Sequence, residues 1–322
     1  MKAIVVVEKK LVWQEAAEPE LGVGEVRIKV HASAVNRADL MQRQGVYPPP
    51  PGASDILGLE CAGEVIEVGE GVTRVAMGDA VCALLAGGGY AEQVVVPAGQ
   101  VLPVPEGLTM LEAAAIPEVF ATAYLNLYIE AGLKTGERVL LHAGASGVGT
   151  AAIQLCATTH NPCFVTAGSS EKIARCQALG ADGGWNRHEG SFQASVMEWS
   201  GGTGVDVILD PVGAGYLADN LISLNTDGRL VVIGLMGGME TSLNLGLMMM
   251  KRLRIIGSTL RARPIAAKAT VMDALRKQVW PCLEAGTIKP IVEKVIPIAQ
   301  AEAAHALIGG NETFGKVLLQ IV

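Results

Sequence analysis

A short glycine-rich turn, Gly144–Gly149, carries the residue types and spacing that bind phosphate. The apolar run Val139–Leu141 before it predicts a buried strand, and the residues from Val148 to Leu155 have helical apolar spacing. A strand, a glycine turn and a helix direct the first helical N–H groups and the helix dipole at an anion. The stretch therefore predicts a dinucleotide diphosphate site. Its residues are Gly144, Ser146 in place of the usual middle glycine, Gly147, Val148 and Gly149.

Three other interpretations of this stretch were weighed. A strand–helix turn with glycines but no ligand remains open on the motif alone. A G-x-S-x-G nucleophile elbow is excluded because Val148 stands where the last glycine is required. A membrane span is disfavoured because His142, Asn161 and Pro162 interrupt the uncharged stretch before it reaches about 18 apolar residues.

The residues that follow the turn bear on which nucleotide is bound. An acidic residue about 20 positions after the glycines usually binds the ribose hydroxyl of NAD. Here the second strand ends in Gly168 and Ser169 with no carboxylate at its tip. Glu171 is near, but Lys172 follows it, and Arg187 comes just after the third strand. Hydroxyl and cationic groups suit a 2′-phosphate, so the sequence predicts NADPH over NADH. The alternative is that Lys172 and Arg187 are solvated surface charges.

Composition limits the classes of protein that fit the chain. The 322 residues allow about two domains, and a 50% hydrophobic content supplies a large core. The net charge of −7 argues against a nucleic-acid or anionic-membrane surface. The apolar run at the N-terminus is too short for a signal peptide, so we expect a cytoplasmic protein. Six cysteines without a C-x-x-C pair predict buried thiols, and the five histidines form no H-E-x-x-H motif.

The elements before residue 118 are predicted to be mostly strands, separated by Gly and Pro at short intervals as in a barrel-like domain. The segment from Tyr47 through the four prolines to Gly52 predicts a stiff extended loop that fixes the Tyr47 ring. The predicted strands are Ala3–Val7, Glu25–Ala32, Glu60–Val68, Ala80–Leu84 and Glu92–Val96.

After helical segments at Leu111–Ile116 and Val119–Ala131, strands and helices alternate up to Gly257. This alternation predicts a parallel doubly wound sheet. A helix over Ile265–Ala285, strands Glu293–Pro297 and Lys316–Ile321, and a helix over Ala299–Ile308 are predicted to return to the first domain. The expected fold class is α/β, with residues 1–118 and 265–322 forming one domain and residues 119–264 the other.

The chain resembles the quinone oxidoreductase (zeta-crystallin-like) branch of the medium-chain dehydrogenase/reductase superfamily over essentially its whole length. The resemblance implies a GroES-like β-barrel catalytic domain and a Rossmann cofactor domain. The segments that carry it are Ala34–Leu40, Gly58–Gly63, Gly78–Val81, Gly88–Glu92, Gly144–Gly149 and Leu209–Gly213.

The departures from the zinc-dependent relatives concern their metal ligands. The resemblance implies that those relatives have Cys where Asn36 stands and Gly-His-Glu where Gly58-Leu59-Glu60 stands. By rough alignment, Glu118 replaces their last catalytic ligand, and their four-cysteine lobe is missing. Asn and Leu do not supply the ligands that hold zinc, so we predict no metal.

The resemblance also implies roles for individual residues. Asn36 is expected to donate an amide hydrogen bond to the developing oxyanion. Tyr47 is expected either to line the substrate pocket or to donate a hydrogen bond from its hydroxyl there. Thr122 is expected to contact the nicotinamide or the acceptor. A loop-stabilising role for Asn36 and simple packing for Tyr47 remain alternatives. Further residues expected beside the cofactor are Gly213, Gly234, Leu235, Met236, Leu260, Arg261 and Lys316.

These expectations combine into an NADPH-dependent quinone reductase that transfers hydride without a metal. Reduction of α,β-unsaturated carbonyls uses the same parts and is the first alternative. A non-catalytic NADPH-binding sensor or structural protein is the second. The expected partners are a quinone or enone acceptor and a second copy of the chain, as a homodimer or a dimer-based tetramer, with neither nucleic acid nor membrane.

Overall fold

Two packing units divide the chain, which the computed structural model describes from Met1 to Ile321. The terminal unit contains Met1–Ala121 and the chain from Leu260 onward. The central unit is Thr122–Thr259. We keep as predictions a catalytic role for the terminal unit and a nucleotide-binding role for the central unit.

Fifteen strands are formed among the described residues. They are β1 (Lys2–Val7), β2 (Lys10–Glu15), β3 (Glu25–Ala34), β4 (Glu60–Val68), β5 (Ala80–Leu84), β6 (Gln93–Pro97), β7 (Val101–Pro103), β8 (Val139–Leu141), β9 (Cys163–Ala167), β10 (Gly183–Asn186), β11 (Val205–Asp210), β12 (Leu224–Val232), β13 (Arg254–Gly257), β14 (Val292–Pro297) and β15 (Lys316–Gln320).

Eleven α-helices accompany the strands in the same residues, together with a π-helical segment at Leu125–Glu130. They are α1 (Arg37–Arg43), α2 (Met110–Ala113), α3 (Pro117–Tyr124), α4 (Gly147–Thr158), α5 (Ser170–Ala178), α6 (Gln193–Trp199), α7 (Leu217–Ser223), α8 (Leu245–Met250), α9 (Ile265–Gln278), α10 (Trp280–Glu284) and α11 (Ala301–Gly309).

The central unit is built on a six-stranded parallel sheet with the strand order β10-β9-β8-β11-β12-β13. In sequence order this is 3-2-1-4-5-6, the order of a doubly wound dinucleotide fold. The predicted parallel doubly wound sheet is confirmed. The strand order reverses between β8 and β11, which is where such folds bind their ligands, at the carboxyl ends of the strands.

The terminal unit is built on a seven-stranded, largely antiparallel sheet in the order β14-β15-β3-β4-β5-β7, with β6 also paired to β3. The C-terminal strands join this sheet, because Leu318 on β15 pairs with Ala34 on β3. This pairing matters for the site, since it brings the start of β15 beside the segment that follows β3.

Each unit has its own apolar core. In the central unit, Leu140, Phe164, Ile208, Leu221 and Leu230 join the sheet to its helices. In the terminal unit, one cluster lies between the antiparallel strands and another packs α11 against β15 and β1. The cysteines are free thiols, and all but the half-buried Cys282 are buried, in agreement with the prediction.

Several elements differ from the sequence predictions. The helix predicted over Ile265–Ala285 breaks into α9 and α10, with Pro281 in the first turn of α10, where a missing N–H is tolerated. Strand β2 and helices α1 and α8 were not predicted. Helix α8, Leu245–Met250, has hydrophobic residues on its exposed faces, so its sequence lacks the alternation of apolar and polar positions that marks an amphipathic helix.

Candidate active site

The carboxyl edge of the central sheet gathers most of the residues predicted to bind a nucleotide. The glycine turn follows β8, Gly168 and Ser169 follow β9, and Arg187 follows β10. The segment containing Gly213 follows β11, and Gly234–Met236 follows β12. Because all strands are parallel, these segments come to one edge of the sheet although they lie up to about ninety positions apart in sequence.

The start of α4 presents unsatisfied backbone donors, as the motif predicts. Ser146 is the N-cap residue, and its Oγ accepts from the Gly149 N–H at 3.0 Å. The Thr150 N–H donates to the Ser146 carbonyl at 2.8 Å. The Gly147 and Val148 N–H groups donate to no acceptor in residues 1–321. They are the two amides available to an anion at this helix start.

Close packing explains why Gly149 has no side chain. A Cβ on Gly149 would lie 2.5 Å from the carbonyl oxygens of both Ala143 and Gly144. Those atoms are backbone, so the turn itself would have to move. A Cβ on Gly144 would lie 2.8 Å from the Val165 side chain on β9. The turn Gly144–Gly149 and the start of α4 therefore fit a diphosphate, because the glycines let the turn and the helix start approach each other closely.

Arg187 lies beside Gly168, where an adenosine ribose is expected. A Cβ on Gly168 would be 3.6 Å from the Arg187 Nη2 and 3.7 Å from its Nε. The Ser169 Oγ caps α5 by accepting from the Lys172 N–H at 3.2 Å, and its own hydroxyl hydrogen remains able to donate. The end of β9 is thus followed by a capping hydroxyl and has a guanidinium beside it, and the carboxylate Glu171 stands in the first turn of α5.

A buried polar chain holds the segment after β11. The Asp210 Oδ1 accepts from the N–H groups of Val212 at 2.6 Å and Gly213 at 3.1 Å. The Asn220 Nδ2 donates to the Asp210 Oδ2 at 3.0 Å, and the Asn220 Oδ1 faces the His142 Nε2 at 2.7 Å. Burial raises the pKa of Asp210, and the two N–H bonds lower it in part. These bonds fix the turn that precedes α7.

The same chain assigns the tautomer of His142. Because Asn220 donates to a carboxylate, its Oδ1 must be an acceptor, so the His142 Nε2 carries the hydrogen. The His142 Nδ1 then accepts from the Thr166 hydroxyl at 3.0 Å. Burial lowers the pKa of His142 to about 4, with the Asn220 bond opposing this shift. His142 is therefore a neutral link between β8, β9 and α7.

In the terminal unit, Asn36 is part of a buried cluster with Glu60 and Lys316. The Asn36 Nδ2 donates to the Glu60 Oε1 at 2.9 Å, and the Lys316 Nζ donates to the Asn36 Oδ1 at 2.6 Å. Glu60 is 0% exposed and pairs with the Lys316 Nζ at 2.7 Å. Its Oε2 accepts from the Glu118 N–H at 2.9 Å. The Asn36 amide is thus held at both ends.

Two of the expected roles can be compared with this geometry, and both stay predictions. Lys316, predicted to approach the cofactor, has three acceptors for its three hydrogens: the Val35 carbonyl at 3.0 Å, Asn36 and Glu60. Asn36, predicted to donate to an oxyanion, already directs its Nδ2 at Glu60 and at the Ala34 carbonyl. In this arrangement the amide orients its neighbours, which is closer to the loop-stabilising alternative.

A second buried cluster lies directly behind Asn36. The Asp39 Oδ2 accepts from the Asn36 N–H at 2.8 Å, and its Oδ1 accepts from the Gly58 N–H at 3.0 Å. The Tyr90 hydroxyl lies 3.2 Å from both the Asp39 Oδ2 and the His305 Nε2. Burial raises the pKa of Asp39 to about 6 and lowers the pKa of His305 to about 4.

No role was predicted for Asp39, Tyr90 and His305. Only His305, which lies between alanines, stands out in the sequence as a polar residue among apolar neighbours. Gly58 belongs to the same arrangement, because its φ is +103° and a Cβ there would lie 2.6 Å from the Gly89 Cα. The turn at Gly58 therefore packs directly against the backbone that carries Tyr90.

Tyr47 and Arg261 form a third feature of the terminal unit. The Arg261 guanidinium carbon lies 5.4 Å from the centre of the Tyr47 ring. The Arg261 Nε donates to the Ala86 carbonyl at 2.8 Å and its Nη2 to the Gln42 Oε1 at 2.7 Å. Burial raises the pKa of Tyr47, and the nearby guanidinium lowers it in part. Arg261 was predicted beside the nicotinamide, and that role stays a prediction.

The other predicted residues are placed as follows. Thr122 lies in α3, half-buried, and its carbonyl accepts from the Asn126 Nδ2 at 2.7 Å. Leu260 is buried in the terminal unit. Leu235 and Met236 are exposed in the segment after β12. Their roles, and that of Thr122, stay predictions.

The donor set does not fit a zinc ion. Glu60 is the carboxylate bonded to the Asn36 side chain, and both of its oxygens are taken by Asn36, Lys316 and the Glu118 N–H. The ammonium of Lys316 would repel a cation at this place. Throughout residues 1–321, no group of three or more His, Cys, Asp or Glu side chains is arranged to hold a metal. The absence of a metal remains our prediction.

Within residues 1–321, no helix is both long enough and apolar enough to cross a membrane.

Two protein families match the chain. Residues 22–106 match the family described as alcohol dehydrogenase GroES-like domain. Residues 147–277 match the family described as zinc-binding dehydrogenase. The first lies in the terminal unit, and the second begins at the start of α4.

Curated relatives align over nearly the whole chain. Quinone oxidoreductase-like protein 2 of Rattus norvegicus is 31% identical over 99% of this chain and 92% of the relative. Synaptic vesicle membrane protein VAT-1 homolog of Rattus norvegicus is 31% identical over 96% of this chain and 80% of the relative. The two names differ in what they say about activity.

Solved structures share the fold throughout. An NAD-dependent alcohol dehydrogenase superposes with a TM-score of 0.88 at 32% identity, covering 100% of both chains. Escherichia coli quinone oxidoreductase, complexed with NADPH, has a TM-score of 0.88 at 27% identity and covers 99% of each chain. The apo JamJ enoyl reductase has a TM-score of 0.88 at 25% identity, covering 100% of this chain and 99% of that one.

These similarities define a GroES-like domain and a Rossmann-like parallel sheet on one chain, the architecture of medium-chain dehydrogenases and reductases. The chain belongs to the quinone oxidoreductase (zeta-crystallin-like) family of that superfamily. Membership supports an oxidoreductase that uses a nicotinamide cofactor and a small-molecule substrate.

Proposed function

We propose that the protein is an NADPH-dependent reductase of quinones. The observation that carries the proposal is the end of β9, where the Arg187 guanidinium lies beside Gly168 and Ser169 caps α5, while the carboxylate Glu171 belongs to the first turn of α5 and not to the strand end. A cation and a hydroxyl stabilise a 2′-phosphate, whereas a carboxylate would repel it. The Gly147 and Val148 N–H groups receive the diphosphate at the start of α4.

The chemistry follows from what the chain itself offers. When bound, the reduced nicotinamide supplies a hydride. The terminal unit contributes hydrogen-bond donors and no Lewis acid, so an acceptor that is already electron-poor suits it best. A quinone is such an acceptor. An α,β-unsaturated carbonyl is the second candidate, and the structural similarity to JamJ enoyl reductase favours keeping it.

The cofactor assignment is tested at Arg187. We expect Arg187→Gln to raise the KM for NADPH by about 10- to 100-fold, because a charge-assisted bond to the 2′-phosphate is lost. The KM for NADH should stay unchanged. The matched control is Arg175→Gln, which removes an exposed arginine of α5 in the same unit. Wild-type protein that uses NADH at least as efficiently as NADPH would contradict the assignment.

The acceptor class is tested by turnover. The wild-type protein is assayed for NADPH oxidation with an ortho-quinone and, in parallel, with a small enone. A higher kcat/KM for the quinone supports the proposal. A higher kcat/KM for the enone contradicts it and supports a reductase of α,β-unsaturated carbonyls. NADPH binding without oxidation by either acceptor would favour the non-catalytic sensor or structural role.

Assembly and location belong to the same proposal. We propose a homodimer, or a tetramer built from dimers, in the cytoplasm. Support for assembly comes from β13, the edge strand of the central sheet, and from the exposed methionines of the adjacent helix α8. An exposed apolar surface beside an open sheet edge is typical of a protein–protein interface.

A further inference from the structure

The guanidinium of Arg261 has one nitrogen that the protein leaves unused. Arg261 is 3% exposed, so its charge is almost fully removed from solvent. Its Nε and Nη2 each have an acceptor, but the buried Nη1 has none within residues 1–321. An unsatisfied donor on a buried cation is costly, and a ligand oxygen that accepts from it would remove that cost.

The orientation of the guanidinium limits what such a ligand is. The edge formed by Nε and Nη2 is closed by the Ala86 carbonyl and the Gln42 side chain. A carboxylate bound in bidentate fashion on that edge is therefore excluded. Nη1 remains as a donor to a single oxygen, such as that of a ketone or quinone.

Tyr47 lies beside this donor. Its ring is within 5.4 Å of the guanidinium carbon, and its hydroxyl makes no hydrogen bond to another described residue. The side chain is half-buried and its neighbour Val46 is exposed. The Tyr47 hydroxyl is therefore a second candidate donor near the guanidinium.

We propose that Arg261 is a catalytic residue that binds the carbonyl oxygen of the acceptor and stabilises the negative charge that develops on it. This inference rests on the proposed function and names the group that receives the acceptor. It moves the oxyanion-binding role from Asn36, whose amide hydrogens are already engaged, to Arg261.

The step balances as follows. The acceptor takes a hydride from bound NADPH at a conjugated carbon, and the π electron pair moves onto its carbonyl oxygen. That oxygen is held by the Arg261 Nη1 as its charge develops, and it then takes a proton from water. The acceptor is reduced by two electrons, and the dinucleotide is oxidised.

Kinetics of three variants test the assignment. We expect Arg261→Ala to lower kcat/KM for the acceptor about 10²-fold, as is usual when one oxyanion donor is lost, with NADPH affinity unchanged. Added guanidinium ion should restore part of that activity, and urea should not. Gln42→Met removes the neighbour of Nη2 but spares Nη1, so it should have a much smaller effect. Arg276→Gln, an exposed arginine of the same unit, is the surface control.

A binding measurement independent of turnover uses p-nitrophenol, whose phenolate absorbs visible light. The wild-type protein should lower the pKa of bound p-nitrophenol, and Arg261→Ala should not. If Arg261→Ala matches Gln42→Met in kinetics, rescue fails and the p-nitrophenol spectrum is unchanged, Arg261 is structural only and the inference is wrong. Wild-type protein that never oxidises NADPH would instead overturn the proposed function, whatever the p-nitrophenol result.

Discussion

At the scale of single residues, the terminal unit depends on a buried ion pair. Glu60 and Lys316 are almost entirely shielded from water, and each is also bonded to Asn36. Removing water from two charges is costly, and the pair is tolerated because every oxygen and hydrogen finds a partner. Breaking one side leaves the other charge buried without its counterion.

We therefore expect Lys316→Met to lower the free energy of unfolding by about 3–5 kcal/mol. The double variant Lys316→Met with Glu60→Gln should lose less than the sum of the two single changes, because no charge is then left buried. Urea denaturation of the four proteins measures this coupling. Arg252→Met is the control, since its partner Asp227 and the arginine itself are both exposed. Strict additivity of the two buried changes would contradict the argument.

At the scale of elements, the proposed nucleotide site lies at the start of α4 and the ends of the parallel strands. The turn after β8 is tight because Gly149 has no Cβ, and the polar chain from Thr166 to Asp210 holds neighbouring strand ends in place. Two predictions concern these elements.

The first concerns the glycine turn. Gly149→Ala places a Cβ 2.5 Å from two backbone oxygens, so the turn must shift. We expect a loss of about 1–3 kcal/mol of stability and weaker NADPH binding, measured by denaturation and by fluorescence titration. The control is Gly168→Ala, whose Cβ meets only the flexible Arg187 end at 3.6 Å or more, and its stability should stay close to wild type.

The second concerns acid stability. His142 has a folded pKa of about 4 against 6.5 for an ordinary histidine, so the unfolded chain binds more protons between these pH values. The free energy of unfolding of the wild type should therefore lose up to about 3 kcal/mol from this residue as pH falls from about 6.5 to 4.

The comparison with His142→Gln isolates this contribution. The variant should have a weaker dependence of Tm on pH in that window, because it does not titrate, while His188→Gln, at an exposed position, should behave as wild type. His305 acts in the same direction in all three proteins, and Asp39, with its pKa raised to about 6, acts in the opposite direction. Identical pH profiles for wild type and His142→Gln would refute the role of His142.

At the scale of the whole molecule, the central unit exposes an apolar surface on α8. Met249 is 74% exposed and Met250 is 69% exposed, and both lie on α8 beside the edge strand β13. A second copy of the chain would cover these methionines and continue the sheet.

We expect Met249→Lys with Met250→Lys to reduce the dimer to monomers, since lysine charges would be buried in the interface. Light scattering after size-exclusion chromatography gives the mass. Met77→Lys changes a methionine of the terminal unit that is 70% exposed and should leave assembly unchanged. Wild-type protein that is monomeric at all concentrations would contradict the assembly.

The sequence by itself determined the fold class and predicted the phosphate-binding turn Gly144–Gly149. Both depend on local patterns: apolar strands alternating with helices, and a glycine turn whose spacing follows from how closely a helix can approach a strand. The preference for NADPH also came from a local pattern: the tip of the second strand has no acidic residue, and Lys172 and Arg187 follow it. Helix α8 was not predicted because its exposed residues are apolar, so its sequence lacks the helical alternation of apolar and polar positions.

Only the tertiary structure decided what surrounds Asn36 and Arg261. Lys316 reaches Asn36 across some 280 positions because β15 pairs with β3, and Arg261 reaches Gln42 across 219. Which hydrogen-bond donors are already used depends on these long-range contacts, and no spacing in the sequence encodes them. We therefore propose the role expected for Asn36 for Arg261 instead, whose unused nitrogen becomes visible only in the folded chain.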